Sequence, residues 1–305
     1  MATKKTRRDA QQYLLPEVVS QVRSLELIAR FIVEGFLVGL HKSPFHGFSV
    51  EFSEHRQYMP GDNIRDIDWK VFGRTDRYYI KQYEEETNLK ANILLDISGS
   101  MTYTSHGISK FTYGQYLSAA LAYLLLKQRD AVGLALFSDQ IHRYLPPRST
   151  NSYIKFILEA LENAEPRQSE TALSETLHLM AERLRRPGLI ILITEFLYED
   201  PERIIQGLRH FRHFNHEVLV LNILDPQDLE FRFSDEATFV DLETGEALKT
   251  QPHLIREDYQ RLTEQFYRTL KQECHNLRID FHTILTSDSF DKALLRYLIM
   301  RRKLF

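Results

Sequence analysis

Cysteine is nearly absent. The chain holds one, Cys274, in 305 residues. No disulfide can form within it, a Cys-based zinc finger is excluded, and a lone thiol suits a reducing compartment. Membrane-length apolar runs are also missing. The most apolar helical stretch, 25–40, carries Glu26, Arg30 and Glu34, whereas a bilayer span takes about 20 apolar residues. The basic start (Lys4, Lys5, Arg7, Arg8) has no hydrophobic region after it, so it does not read as a secretory signal. There is no one-sided charge either. Lys plus Arg number 39 and Asp plus Glu 42, a net charge of −3, which provides no general field for nucleic acid. The expectation is a cytoplasmic protein with no membrane span and no nucleic-acid partner. His-Glu-x-x-His, Gly-x-Ser-x-Gly and the phosphate-binding Gly-x4-Gly-Lys-Ser/Thr are absent as well.

The composition that remains, 43% hydrophobic and 27% charged, is that of a globular protein with enough chain for one large domain or two small ones. Residues 1–15 read as a flexible tail. Between Val18 and Leu40, apolar residues recur every three or four positions, the face of one long amphipathic helix. Residues 47–90 hold short β-like runs around a turn-rich centre, Met59-Pro60-Gly61-Asp62-Asn63, and complete a helical and β accessory segment over 16–88. From residue 89 to 305 the rhythm changes. Apolar strands at 91–95, 132–137, 189–193, 218–224 and 278–285 alternate with helices at 110–127, 152–161, 173–184, 201–211, 254–274 and 289–302, and a β-hairpin is expected around Glu243-Thr244-Gly245-Glu246. This alternation predicts an α/β fold, a doubly wound and mostly parallel sheet covered on both faces.

Such sheets bind ligands beyond the carboxyl ends of their strands. After the first strand comes Asp96-Ile97-Ser98-Gly99-Ser100-Met101. One carboxylate and two hydroxyls in one loop are hard oxygen ligands of the kind Mg²⁺ or Mn²⁺ prefers, and Ca²⁺ shares that preference. With so few charges the ion stays electrophilic and keeps a coordination position for an outside carboxylate. The same residues also suit a helix cap. Asp225-Pro226 reads as a turn. His210, His213 and His216 read as surface or partly packed side chains, and Cys274 as a core thiol.

The run Ile93 to Met101 resembles the opening of a von Willebrand factor A domain with its metal-ion-dependent adhesion site. The resemblance implies a threonine from a second loop, where Thr171 fits, and an acidic residue from a third, where Glu195 stands in place of the usual Asp, as a direct or water-mediated ligand. The implied metal set is thus Asp96, Ser98, Ser100, Thr171 and Glu195. A helix N-cap for Thr171 and an exposed loop acid for Glu195 are the alternatives. The preceding segment, Glu51-Phe52-x3-Arg56-x-Tyr58-x-Pro60-Gly61-Asp62-x2-Arg65-x-Ile67-Asp68-Trp69-Lys70, is similar to the hallmark of the uncharacterised DUF58 family, which joins such a segment to an A-like domain. That resemblance implies a MoxR-type AAA+ ATPase and its client proteins as partners.

In the accessory segment, Arg56, Asp62, Arg65 and Asp68 are expected to form ion pairs within the turn, with Trp69 as the apolar anchor against the main domain. The functional expectation is a metal-dependent protein-interaction module without a catalytic residue. The alternative is a metal-dependent phosphoester hydrolase, which needs a base or a second metal.

Overall fold

The computed structural model describes residues 14–41, 55–58, 69–81, 89–167, 173–196, 200–233, 236–242 and 245–304. A short helix α1 (Pro16–Val19) and a long one, α2 (Leu25–His41), come first. They replace the single helix expected from the periodicity. Ser20 turns its hydroxyl back onto the Glu17 carbonyl, and the carbonyl of Ser24 accepts the first bond of α2 from Ile28 N–H. A serine hydroxyl, as at Ser20, competes with the helical ladder in this way and favours helix ends. Strand β1 (His55–Gln57), helix α3 (Trp69–Thr75) and strand β2 (Tyr79–Lys81) follow, with β1 antiparallel to β2 and Arg56 opposite Ile80.

The main sheet is built from β3 (Lys90–Asp96), β4 (Ala131–Phe137), β5 (Ile141–Arg148), β6 (Leu189–Thr194), β7 (Glu217–Leu224) and, after the β8 (Ala237–Val240) and β9 (Ala247–Thr250) hairpin, β10 (Asp280–Leu285). The spatial order is β10-β7-β6-β3-β4-β5, parallel except for β5 against β4. The fold class read from the sequence therefore holds. Residues 91–95 and 189–194 are buried throughout, because helices cover both faces and a continuous apolar run is what such a strand needs. On one face pack α2, α4 (Lys110–Lys127), α5 (Ile154–Glu162) and α10 (Phe290–Leu304). On the other pack α6 (Leu173–Arg183), α7 (Pro201–His213) and α9 (Pro252–Asn276). Ile28, Ile32, Val33 and Phe36 of α2 lie in the same core as Ile93 and Leu117, so residues assigned by sequence to the accessory segment complete the main domain.

Two further features depart from the sequence expectation. Strand β5 was not foreseen. It is the sheet edge, contains Pro146 and Pro147, and meets β4 with shifts in register; prolines are confined to such edges because they cannot donate to a ladder. Trp69 is not an anchor. It is 58% exposed, set edge-on to Phe72, which stacks on Tyr78 at 4.5 Å. The first turn of α3 points it outward, and Phe72 and Tyr78 form the local aromatic contact in its place. Asp62, Arg65 and Asp68 lie outside the described residues.

Candidate metal centre at the strand ends

Asp96 ends β3 at the centre of the sheet and is 1% exposed. Ser98 N–H donates to its Oδ1 at 2.8 Å, and Thr194 Oγ, at the end of β6, donates to its Oδ2. Both oxygens are thereby oriented by the loop and by the neighbouring strand. Burial pushes the Asp96 carboxyl up to about 6, against these hydrogen bonds, which pull the other way. Ser98 is buried, and its hydroxyl lies 3.0 Å from that of Ser100. The two hydroxyls thus sit side by side above the carboxylate's own loop, at the head of a 3₁₀ turn, Gly99–Thr102.

Two other segments close around this loop. Arg167 bridges to Ser98 in parallel fashion and donates its N–H to Ile97 O at 2.7 Å. Thr171, four residues further along the chain, lies outside the described residues. The β8–β9 hairpin, expected from the sequence, reaches the loop from the other side. A Cβ on Gly99 would come 2.7 Å from the Leu242 carbonyl oxygen, so glycine is required for the approach of two backbones. Gly245 turns the hairpin at a φ of +77°, a conformation that glycine adopts freely. Val240, Leu242 and Leu248 of the hairpin are exposed.

Glu195 follows β6 and is 5% exposed. One of its oxygens is ion-paired with Lys110 Nζ, and the other, Oε1, is buried without a hydrogen-bond partner. Lys110 is itself 2% exposed and also reaches Asp228 Oδ2 at 3.2 Å. Burial opposes the charge on Lys110, yet the two carboxylates outweigh it and hold the ammonium above its usual range. Burial raises Asp228, which the Lys110 charge partly offsets. Two carboxyl groups, buried Glu195 and half-buried Asp228, thus share one buried ammonium, and the Glu195 charge also bears on Asp96. With Glu195 and Asp228 ionised, the Lys110 cluster has one negative charge in excess.

Sequence reading brought Asp96, Ser98, Ser100 and Glu195 to the strand ends, and the structure places them there. Lys110 and Asp228 were missed. A lysine at the first position of a helix reads as a solvated side chain, and only the fold turns it inward. Asp225, read from the sequence as a turn residue, is a helix N-cap. It opens α8 (Pro226–Glu230) by accepting from Gln227 N–H at 2.9 Å, and it also accepts from Ser105 N–H at 2.8 Å. His216 is fully buried against the Leu184 and Gly188 carbonyls, whereas His210 lies 3.1 Å from His178, Nδ1 to Nδ1, and His213 is exposed. Cys274 is a buried thiol pushed up to about 12 by burial. Among the described residues, no three His, Cys, Asp or Glu side chains converge as a metal group. The Asp96 loop offers a different donor set, hydroxyls beside carboxylates, and the unpartnered Glu195 oxygen fits a cation there.

A family model described as "Protein of unknown function DUF58" matches residues 54–268. The protein "Uncharacterized protein Rv1480" of Mycobacterium tuberculosis (strain ATCC 25618 / H37Rv) is 26% identical over 234 residues, 75% of this chain and 72% of its own length. Two solved structures are similar at the level of the backbone. The conserved hypothetical protein BatB from Bacteroides thetaiotaomicron has a TM-score of 0.45 at 18% identity, over 70% of this chain and 99% of its own. The SpRpn10 VWA domain has a TM-score of 0.41 at 11% identity, over 68% of this chain and 94% of its own. No described helix is long and apolar enough to cross a membrane. Because the family match runs from β1 through the strand-end loops and into α9, more than half of the chain, the chain belongs to the DUF58 family.

Proposed function

We propose that the strand-end centre is a divalent-cation-dependent protein-interaction site. The observation that carries this reading is the buried Glu195 Oε1 without a partner, in an ion-pair cluster of two carboxylates and one ammonium. A buried unpaired acceptor of this kind is costly unless a cation or water satisfies it. Mg²⁺ or Mn²⁺ matches both the charge and the oxygen donors. Ser98 and Ser100 supply hydroxyls, Asp96 the oriented carboxylate, Glu195 a second carboxylate, and Thr171 a further hydroxyl by its place in the motif. The ion would supply an open coordination position for a carboxylate of the partner. Val240 at the end of β8 and Leu242, whose carbonyl meets Gly99, form an exposed apolar rim beside the loop. That rim suits a partner whose acidic residue is flanked by apolar ones. The area it would bury adds to the carboxylate–metal contact, which replaces a well-held water and contributes little alone.

The partner proposed is a MoxR-type AAA+ ATPase together with its client proteins, as the family resemblance implies, and the module itself is not an enzyme. Hydrolysis of a phosphoester would need a free base beside the ion. Glu195 pairs with Lys110 through one oxygen, and its other oxygen is given to the ion. Ser138, whose hydroxyl lies 2.7 Å from His142 Nε2 after β4, is fully buried, and its hydroxyl is closed off as a nucleophile.

The test uses the purified chain and the MoxR-type ATPase of the same genome. The chain should retain the ATPase in Mg²⁺ and release it in EDTA, and the Ser98→Ala/Ser100→Ala variant should fail to retain it. It should not hydrolyse p-nitrophenyl phosphate above background in Mg²⁺ or Mn²⁺. Metal-dependent turnover that Asp96→Ala abolishes would overturn the binding reading in favour of a hydrolase.

A further inference from the structure

Lys110 is placed against two local rules. It occupies the first position of α4, whose N-cap Ser109 accepts a bond from Thr112 N–H at 3.1 Å. The positive end of the helix dipole disfavours an ammonium there. It is also buried, and burying a charge is costly unless it is closely paired. A Met stem would fill much the same space but would leave Glu195 and Asp228 without their shared countercharge. What Lys110 has is partners from two other strand ends, Glu195 after β6 and Asp228 in α8, and the Tyr103 ring 5.4 Å from its nitrogen. Residues that break local rules are expected where function imposes the placement.

We infer that Lys110 is an internal counter-ion that competes with the divalent cation for Glu195, so that metal occupancy of the Asp96 loop and the Lys110–Glu195 ion pair oppose each other. The inference rests on the metal reading above. Glu195 is the shared element: it pairs with Lys110 through one oxygen, leaves the other unpartnered, and its charge bears on Asp96. When Glu195 is drawn toward the cation, Lys110 keeps Asp228. The Asp228 carboxylate accepts from Asp225 N–H at 2.8 Å, and its carbonyl accepts from Tyr259 OH of α9 at 3.0 Å. Phe231, just past α8, stacks on Tyr259 at 4.2 Å and on Phe239 of β8 at 5.4 Å. The counter-ion is thus linked through packed groups to the hairpin that flanks Gly99. Lys110 weakens the resting affinity for metal, and a bound partner carboxylate offsets that weakness.

Calorimetric titration of Mg²⁺ into wild type, Lys110→Met and Asp96→Asn tests this. Removal of a unit charge paired to a ligand should tighten Mg²⁺ binding by about tenfold or more in Lys110→Met, while Asp96→Asn should lose it. Equal or weaker binding by a folded Lys110→Met, with Asp96→Asn still inactive, overturns the inference and leaves the metal site standing. Absence of binding in both wild type and Lys110→Met overturns the metal reading and the inference with it. The wild-type chain gives a second readout that does not depend on the folding of Lys110→Met. The ¹⁵N signal of the buried Lys110 ammonium, assigned with Lys110→Arg, should shift or broaden with the same Mg²⁺ midpoint as the heat. A signal that stays fixed through saturation overturns the competition.

Discussion

Asp96→Asn should stabilise the metal-free protein. The carboxyl is 1% exposed, and its value rises from 3.8 to about 6 on folding. A raised folded-state value means that the native state holds the proton more tightly. The associated stability is complete below the unfolded value, near pH 4, and is lost as pH rises through about 6. At 1.36 kcal/mol per unit, the ionised carboxylate costs the native state about 3 kcal/mol at pH 7.5, and about half of that at pH 5. Asparagine avoids this cost and keeps the hydrogen bonds. Its oxygen can accept from Ser98 N–H, and its amide can donate to Thr194 Oγ, whose proton then goes to the Glu195 carbonyl, already within 2.9 Å. Urea unfolding in EDTA at pH 5 and pH 7.5 measures the effect. Asp96→Asn should be the more stable protein at both, with the larger gain at pH 7.5. With Mg²⁺ the order should close or invert, because only the wild type binds the ion and gains from it by mass action. A variant that is less stable than wild type in EDTA at pH 7.5, or a gain that does not grow with pH, would refute the reasoning.

Gly99→Ala should cost about 1–3 kcal/mol, because its Cβ would meet a backbone oxygen, Leu242 O, at 2.7 Å; thermal melting reads the loss, and limited proteolysis should show the β8–β9 hairpin loosened. Asp130→Ala removes the fully buried carboxylate from Arg301, which keeps Gln128 Oε1 and Tyr297 OH, and should lower stability in urea by about 1.5–3 kcal/mol. Trp69→Ala should cost no more than about 1.5 kcal/mol, the value of one exposed aromatic pair with Phe72. As the chain's one tryptophan, Trp69 should also fluoresce as a solvent-exposed indole open to iodide quenching, and a blue-shifted, protected emission would contradict its placement.

The parallel strands were legible because a strand buried on both faces has to be a continuous apolar run, as at Leu189–Thr194. Asp96, Ser98 and Ser100 were legible because they sit within five consecutive residues at such a strand's end. What stayed hidden depends on long-range contact. Asp228 meets Lys110 across 118 positions of chain, and nothing local to either residue marks the pairing. Strand β5 was obscured by its prolines and its half-exposed face, the marks of an edge. The break between α1 and α2 falls at Ser20, whose hydroxyl bonds back to the Glu17 carbonyl within an apolar period that is otherwise unbroken. Trp69 was misread because a large aromatic in a turn-rich segment suggests an anchor, whereas Phe72 and Tyr78 take the stacking contact.

The central claim, one divalent cation held by the Asp96 loop, is tested most directly by electron paramagnetic resonance of free Mn²⁺ titrated into the protein. Wild type should remove the free-ion signal up to one equivalent per chain, and Ser98→Ala/Ser100→Ala, folded by circular dichroism, should leave it undiminished. Equal depletion of the signal by both proteins would contradict the claim.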